Sequence, residues 1–487
     1  MTTTRSTGSA QTMVLPLALA QFIASYAATN MNVAITDIAR ELNTTVVGLQ
    51  TTITLFTLTM ASLMIPGSKL TDIWGRKRCF LAGLLIYGTG ALLAALAPGL
   101  GVMIFGYSLL EGIGSALLIP PVYILITVAF PDVKTRAKYF GVVSGAAGLG
   151  AAAGPLIGGL VTTLISWRAS FLLQVLVVAW IILLARRRIT DPGREGPPPR
   201  FDVTGAVLAA AGLFFVVLGI LQSGTYGWLA AREDFTVAGT VVIHKGGLSP
   251  VWLFIGIGAL ILAGFFWHLR AAEKAGREPL LALRLFRDRT ANLGLGTQLV
   301  QWLIMQGTFF VLSVFLQQVR GYSAIATGLA LTPATIGILA SSASAERFAH
   351  RHSQRWLVIT GFALTVAGMG LLLALVRDRS GVLSLVPGLL LIGVGVGAML
   401  TSSVNIVQSS FPGRDQGDIS GLSRSVSNLG SSLGTALAGS ILVAASYPGG
   451  RPFLLSLGAL MAIAIIGLVL AVLLPRQPDK TPASTNA

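Results

Sequence analysis

Uncharged apolar runs of about 20 residues recur along nearly the whole chain, and each is long enough to cross a hydrocarbon layer about 30 Å thick. That feature removes most folds from consideration. Backbone polar groups in hydrocarbon must be satisfied internally, so only helices and closed barrels span a membrane. A barrel needs short alternating segments, whereas these runs are continuous and rich in Gly and Ala. The expected fold class is an all-α membrane protein. Composition agrees, with 54% hydrophobic and 11% charged residues and a mean hydropathy of +0.78, against roughly 25% charged residues in soluble domains.

Fourteen spans are expected, near 13–36, 46–68, 79–97, 101–129, 138–162, 167–186, 202–222, 250–269, 290–319, 323–345, 355–376, 383–410, 417–443 and 452–474. The first run follows Arg5 but continues past a cleavable apolar core and ends in polar Asn30 to Asn32, so it reads as an uncleaved span.

Most of the 34 Lys and Arg fall in alternate connections, chiefly Lys69 with Arg76 to Arg78, Lys134 to Lys138, Arg186 to Arg200 and Arg270 to Arg289. Positive residues are retained in the cytoplasm, which places both termini there and favours an even span count. The net charge of +16 is thereby explained by topology and anionic lipid headgroups, with no nucleic acid as partner. One cysteine, Cys79, excludes an intrachain disulfide, and the four scattered histidines have no metal-ligand spacing. No cofactor is indicated. Gly393, Gly395 and Gly397 lie in an apolar span without a preceding strand, so they read as close helix packing and not as a nucleotide loop.

The organisation expected is a cytoplasmic tail over 1–12, a six-helix bundle over 13–186, a linker with two extra spans over 187–289, a second six-helix bundle over 290–474 and a second tail over 475–487. The connection from Gln222 to Pro250 reads as an outside loop with a turn at Tyr226, Gly227 and Trp228.

Two segments carry a resemblance. Ser68 to Arg78 reads SKLTDIWGRKR, and Gly150 to Gly159 reads GAAAGPLIGG, followed by Trp167, Arg168 and Phe171. The first resembles the cytoplasmic loop motif of the major facilitator superfamily at Leu70, Asp72, Gly75, Arg76 and Lys77, with Ser68 in place of the usual first glycine. The second resembles that superfamily's fifth-span antiporter motif at Gly150, Gly154, Pro155, Gly158 and Gly159. Physically, glycines four apart open a helix face and Pro155 permits a bend, while Asp72 can pair with Arg76 or a helix end and hold one side closed. Glu346, Arg347, Ala349 and Arg351 form a degraded copy of the loop motif, and Gly430, Gly434 and Gly439 echo the glycine face in span 13. Two six-span bundles with two inserted spans resemble the fourteen-span drug:proton antiporter branch. The resemblance implies a monomeric transporter in a bacterial plasma membrane, with a central cavity reached alternately from each side by rocking of the halves.

Polar stripes at helical spacing mark a candidate cavity wall: Gln21, Ser25, Thr29 and Asn32 in span 1; Ser108, Glu111 and Ser115 in span 4; Gln298, Trp302, Met305 and Phe309 in span 9; Thr401, Asn405 and Gln408 in span 12. Each could equally be a polar contact between packed helices. Amide, Met and aromatic groups together suit a bulky, amphipathic small-molecule substrate.

The branch usually has an Asp at the position of Ala27 and an Arg at that of Ser108; both charges are missing here, and a Glu, Glu111, stands where Gln is usual. Losing both charges together strands no buried ion. Glu111 then becomes the one acid expected deep in a span, a candidate for proton or cation coupling, against the alternative of a structural hydrogen bond. Arg424 shares a face with Ser420, Ser427 and Ser431; it is expected to snorkel to the interface, the alternatives being anion recognition or partnership with Glu111. No catalytic constellation or Walker-type loop is present. The expected function is export of drugs or amphipathic metabolites by exchange with protons, the alternative a narrower exporter or one not coupled to protons.

Overall fold

The computed structural model describes residues 7–130, 133–189, 201–237, 240–277, 279–376, 380–411, 416–444 and 451–475. In chain order the helices are α1 Thr7–Val33, α2 Ile35–Glu41, α3 Val46–Trp74, α4 Arg76–Ala95, α5 Leu100–Met103, α6 Gly112–Ala129, α7 Val133–Leu164, α8 Trp167–Arg188, α9 Val203–Tyr226, α10 Pro250–Lys274, α11 Arg289–Val314, α12 Ala324–Arg351, α13 Gln354–Leu375, α14 Val386–Ser409, α15 Gln416–Ala444 and α16 Arg451–Leu473. A π-helical stretch, Ile104–Glu111, joins α5 to α6 into one rod, and a second, Phe315–Val319, extends α11.

Helix starts are written in the sequence. Thr45, Ser166, Asp202, Asp288 and Ser353 each accept the backbone N–H of the residue three further on, the ordinary way to satisfy an orphan donor. Pro250 opens α10 behind Ser249, where its missing N–H costs nothing. Gly75, at φ 95°, turns the chain between α3 and α4 in a conformation that a side chain would strain.

Thirteen helices among the described residues are long and apolar enough to cross a membrane. The remaining long one, α15, has 29 residues but is diluted by serines, Arg424 and Asn428. It nevertheless packs inside the assembly, against α3, α9, α11 and α16.

Two pairings repeat. Helix α1 lies along α7 as α11 lies along α15, and the two ends of the chain meet where α3 packs on α15 and α7 on α12. The pair α9 and α10 packs on itself, with α9 resting against α3 and α15. The Gly393 to Gly397 run does serve packing: Gly393 and Gly397 abut α12 and Gly395 abuts α13, so α14 is seated between them. The connection from Gln222 to Pro250 carries secondary structure of its own. It forms a two-stranded antiparallel ribbon, β1 Phe235–Val237 with β2 Thr240–Ile243, held by edge-to-face contacts of Phe235 with Tyr226 and Phe254.

Candidate functional site

A narrow cavity lies where α1, α3, α6, α7, α11 and α15 converge. Helix α1 contributes Gln21, Ser25 and Thr29, one turn apart; α3 contributes Thr57 and Met60; α11 contributes Trp302 and Gln306; α15 contributes Arg424, Ser427 and Ser431. The i, i+3/i+4 spacing on each helix puts these side chains on one face. The space open to water is about 40 Å³, far below the roughly 300–1,000 Å³ of a pocket that encloses a drug-sized ligand. Both ends are fastened. Toward the Lys69 end, Arg424 donates to the Tyr123 hydroxyl, Ser425 donates to the Ala61 carbonyl, and Lys69 pairs with Asp418 at 2.8 Å. Toward the opposite end, Gln306 Nε2 donates to Ala28 O at 3.0 Å. Beyond it, Gln317 accepts from Thr36 Oγ1 at 2.7 Å and donates to Asn32 O at 3.1 Å. Past Gln317 lies a polar vestibule of about 840 Å³ bordered by Asp37, Glu41, Trp167 and Tyr322.

Of the residues expected on the cavity wall, Gln21, Ser25, Thr29 and Trp302 are brought together there. Others lie elsewhere. Asn32 is buried, and its side-chain amide has no hydrogen-bond partner among the described residues. Ser108 donates to Thr52 O at 2.7 Å, pinning the π-helical stretch to α3, and borders an apolar groove of about 540 Å³ between α3 and α9. Ser115 is buried, and its hydroxyl has no hydrogen-bond partner among the described residues. Gln298 accepts from Ser423 at 2.7 Å, while Met305 and Phe309 belong to the apolar core. Asn405 is exposed and Gln408 half-buried; on α14 it is Ser403 that faces α11, bonding Gln301 at 2.9 Å, and two residues turn a helix by about 200°. On α11 the cavity face continues not to Met305 but from Trp302 to Gln306, which i, i+4 counting from Trp302 reaches.

Arg424 departs from expectation most clearly. It does not snorkel to an interface: its guanidinium stands 4.8 Å over the Tyr123 ring, on the cavity wall. Nor does it meet Glu111. Tyr123 is twelve residues beyond Glu111 on the same rod, about 18 Å at 1.5 Å per residue.

Glu111 ends the π-helical stretch and is fully buried inside the first bundle. Neither carboxylate oxygen has a hydrogen-bond partner among the described residues. The Tyr87 hydroxyl lies beside the carboxyl but reaches Gln174 Oε1 at 2.6 Å and Ile23 O at 3.3 Å. Tyr107, one turn before Glu111, donates to Ala27 O at 3.1 Å. A single tyrosine thus spans from the neighbourhood of the carboxyl to the alanine that occupies the expected Asp position. Close approach of α4 makes room for this: a Cβ on Gly90 would lie 2.7 Å from Glu111 N and 2.6 Å from Gly106 O. π-Helical turns of this kind concentrate at functional sites.

The two motifs are seated as follows. Lys77 Nζ donates to Arg186 O at 3.1 Å, at the end of α8, and Arg76 is half-buried. The side chain of Asp72 lies outside the described residues, as do those of Glu346, Arg347, Ala349 and Arg351. In α7, a Cβ on Gly150, Gly154 or Gly158 would collide with Phe22 O, Thr29 Oγ1 or Asn30 Oδ1 of α1. Gly159 faces α12 instead, against Ala324 O, and the Pro155 carbonyl fills the space at Gly328. The motif therefore serves two seams at once. Trp167 and Arg168 both bind Glu41, the latter at 2.9 Å, and Arg168 also donates to Ala95 O and Ala97 O.

Comparison with known proteins bears on the whole chain. The sequence model of the Major Facilitator Superfamily matches residues 17–435 and, overlapping it, 294–487. The chain is 28% identical to the multidrug resistance protein Stp of Mycobacterium tuberculosis over 85% of this chain and 72% of that protein. It is 29% identical to the puromycin resistance protein pur8 of Streptomyces alboniger over 88% and 80%, and 28% identical to the cephamycin export protein CmcT of Amycolatopsis lactamdurans over 98% and 94%. With its all-helical fold and its many membrane-length helices, the chain belongs to the Major Facilitator Superfamily.

Proposed function

We propose that the protein exports small amphipathic molecules across the bacterial plasma membrane by alternating access, in exchange for protons, as a carrier and not an enzyme. One observation carries the reading: a single cavity is lined jointly by α1 and α3 from the first part of the chain and by α11 and α15 from the last, so a rocking of the two parts would open it to one side and then the other. The fastenings at both ends and the small volume fit an occluded intermediate. The resistance and export proteins named above support the substrate class. The topology proposed has fourteen spans, with α15 as the thirteenth in order, and both termini in the cytoplasm beside anionic lipid headgroups; the carrier works as a monomer.

Glu111 is the proposed proton carrier, since an uncompensated buried carboxylate is costly and a proton is the simplest counter-ion to it. The test is accumulation of fluorescent amphipaths into proteoliposomes under an imposed pH gradient, against protein-free liposomes. Gradient-dependent accumulation is expected; none for any probe would refute export. A second reading, export without protons, is favoured by Ala27 and Ser108 at positions where relatives of the antiporter branch carry charges. Accumulation indifferent to the pH gradient would support it.

A further inference from the structure

The cavity contains one charge. Among the described residues lining it, Arg424 is the only ionisable side chain with a formal charge, and no carboxylate of a described residue stands within ion-pair reach of it. An arginine has five N–H donors. Tyr123 takes one, through its hydroxyl, and its ring covers one face of the guanidinium. Arg424 lines the cavity together with Gln21, Ser427, Asn428 and Ser431 as further polar groups and Met60, Ile119, Ala24 and Trp302 as apolar and aromatic surface.

A cation held inside a membrane protein without a counter-charge is costly. Such side chains in transporters pair with one another, with backbone carbonyls, or with what is transported. Among the described residues the first is missing, and Tyr123 supplies a neutral acceptor. Arg424 is also pinned at the point where α15 meets α6, so it is presented in a fixed direction and not left free on a flexible stem. A planar fork fixed in this way matches a carboxylate or sulfonate bidentately, with the apolar wall receiving the rest of the ligand.

We infer that the cavity selects amphipathic organic anions: molecules with an aromatic or apolar body and a single carboxylate-like or sulfonate-like group that pairs with Arg424. This rests on the export reading above and narrows its substrate class. Cations and neutral analogues of the same shape are disfavoured, the first by like-charge repulsion and the second because they leave the guanidinium without a counter-ion.

The test uses the full chain in liposomes of phosphatidylcholine alone, which removes anionic lipid headgroups as competing occupants. Three probes are compared: 8-anilinonaphthalene-1-sulfonate, its uncharged analogue N-phenyl-1-naphthylamine, and the cation ethidium. The wild-type protein is expected to transport the sulfonate at least tenfold better than the uncharged analogue. Arg424→Gln should lower that ratio at least tenfold, and Arg424→Lys by less, since an ammonium keeps the charge but loses the fork. A wild-type preference for ethidium or for the uncharged analogue overturns the anion inference and leaves export standing, as does an unchanged ratio in Arg424→Gln. Transport of none of the three by the wild type overturns export and this inference together. If Arg424→Gln does not fold, Arg424→Lys decides: a lowered ratio supports the inference and an unchanged one overturns it. Repeating the wild-type measurement with phosphatidylglycerol added separates the sources of the anion; sulfonate transport suppressed by the lipid identifies a headgroup as a competing occupant of the same site and supports the anion selectivity.

Discussion

Lys69 and Asp418 stand 2.8 Å apart, joining the last turns of α3 to the first turn of α15, with each side chain about a quarter exposed. The sequence motif points to Asp72 as the gating acid, and its side chain lies outside the described residues; among the described residues, an ion pair that crosses between the two parts of the chain uses Lys69, three residues earlier. A partly exposed pair of this kind contributes about 0.2–1 kcal/mol, enough to bias an equilibrium between open and closed ends by a few-fold and too little to decide whether the protein folds. Asp418→Ala is therefore expected to leave thermal stability unchanged. It should raise the labelling rate of a cysteine placed at Asn428, from the Lys69 side, roughly two- to fivefold. Exchanging the two charges should restore the wild-type rate, and an unaltered rate in both variants would dispose of the gate.

At the opposite end, Gln317 bridges to Thr36 and Asn32 through both atoms of its amide. Gln317→Ala removes three hydrogen bonds, from Thr36 N and Thr36 Oγ1 and to Asn32 O, worth about 1 kcal/mol each. Labelling of a cysteine at Ser25 from the vestibule side should rise several-fold, while labelling from the Lys69 side falls or stays level. A symmetrical rise from both sides would indicate general loosening and not a gate.

The seam of α1 on α7 is the tightest in the first bundle. Gly158→Ala sets a methyl against Asn30 Oδ1, and overpacking of this kind costs about 1–3 kcal/mol. The melting temperature should drop in Gly158→Ala and recover when Asn30→Gly is added. Failure of the second change to rescue the first would mean that the cost arises in the α7 backbone itself.

Replacing Glu111 by Gln keeps the size of the side chain and removes the exchangeable charge. Proton-driven accumulation is expected to fall at least tenfold, with substrate binding retained because the carboxyl is not on the cavity wall. Binding by the purified protein and flux under a fixed gradient are measured on one preparation. Wild-type flux in Glu111→Gln would remove Glu111 from the coupling mechanism.

What the sequence made legible follows from what periodicity encodes. Hydropathy locates long apolar helices, and stripe spacing identifies a polar face, so Gln21, Ser25, Thr29 and Trp302 were recognisable. Spacing does not say which neighbour that face will meet. On α14 the seat is set by Gly393 and Gly397 against α12, which turns Asn405 outward. On α11 the groove begins at Trp302 but proceeds through Gln306. The π-helical stretch before α6 leaves no mark on the sequence, because one extra residue per turn changes the facing of side chains without changing their composition. Arg424 was misread for a different reason: its distance from the helix end allowed snorkelling, and only the position of Tyr123, three hundred residues away in the chain, shows why it turns inward.

Helix α15 has a consequence for how the protein is made. Three of its serines donate to other helices: Ser423 to Gln298, Ser425 to Ala61 and Ser432 to Thr54. Arg424 adds to the cost of inserting this helix, and none of those three partners is on α15 or α16. These polar groups of α15 therefore find their partners only once α3 and α11 are in place. Assembly thus has a direction along the chain: the helix that carries the only charge among the described cavity-lining residues is completed by partners on α3, α6 and α11, all synthesised before it.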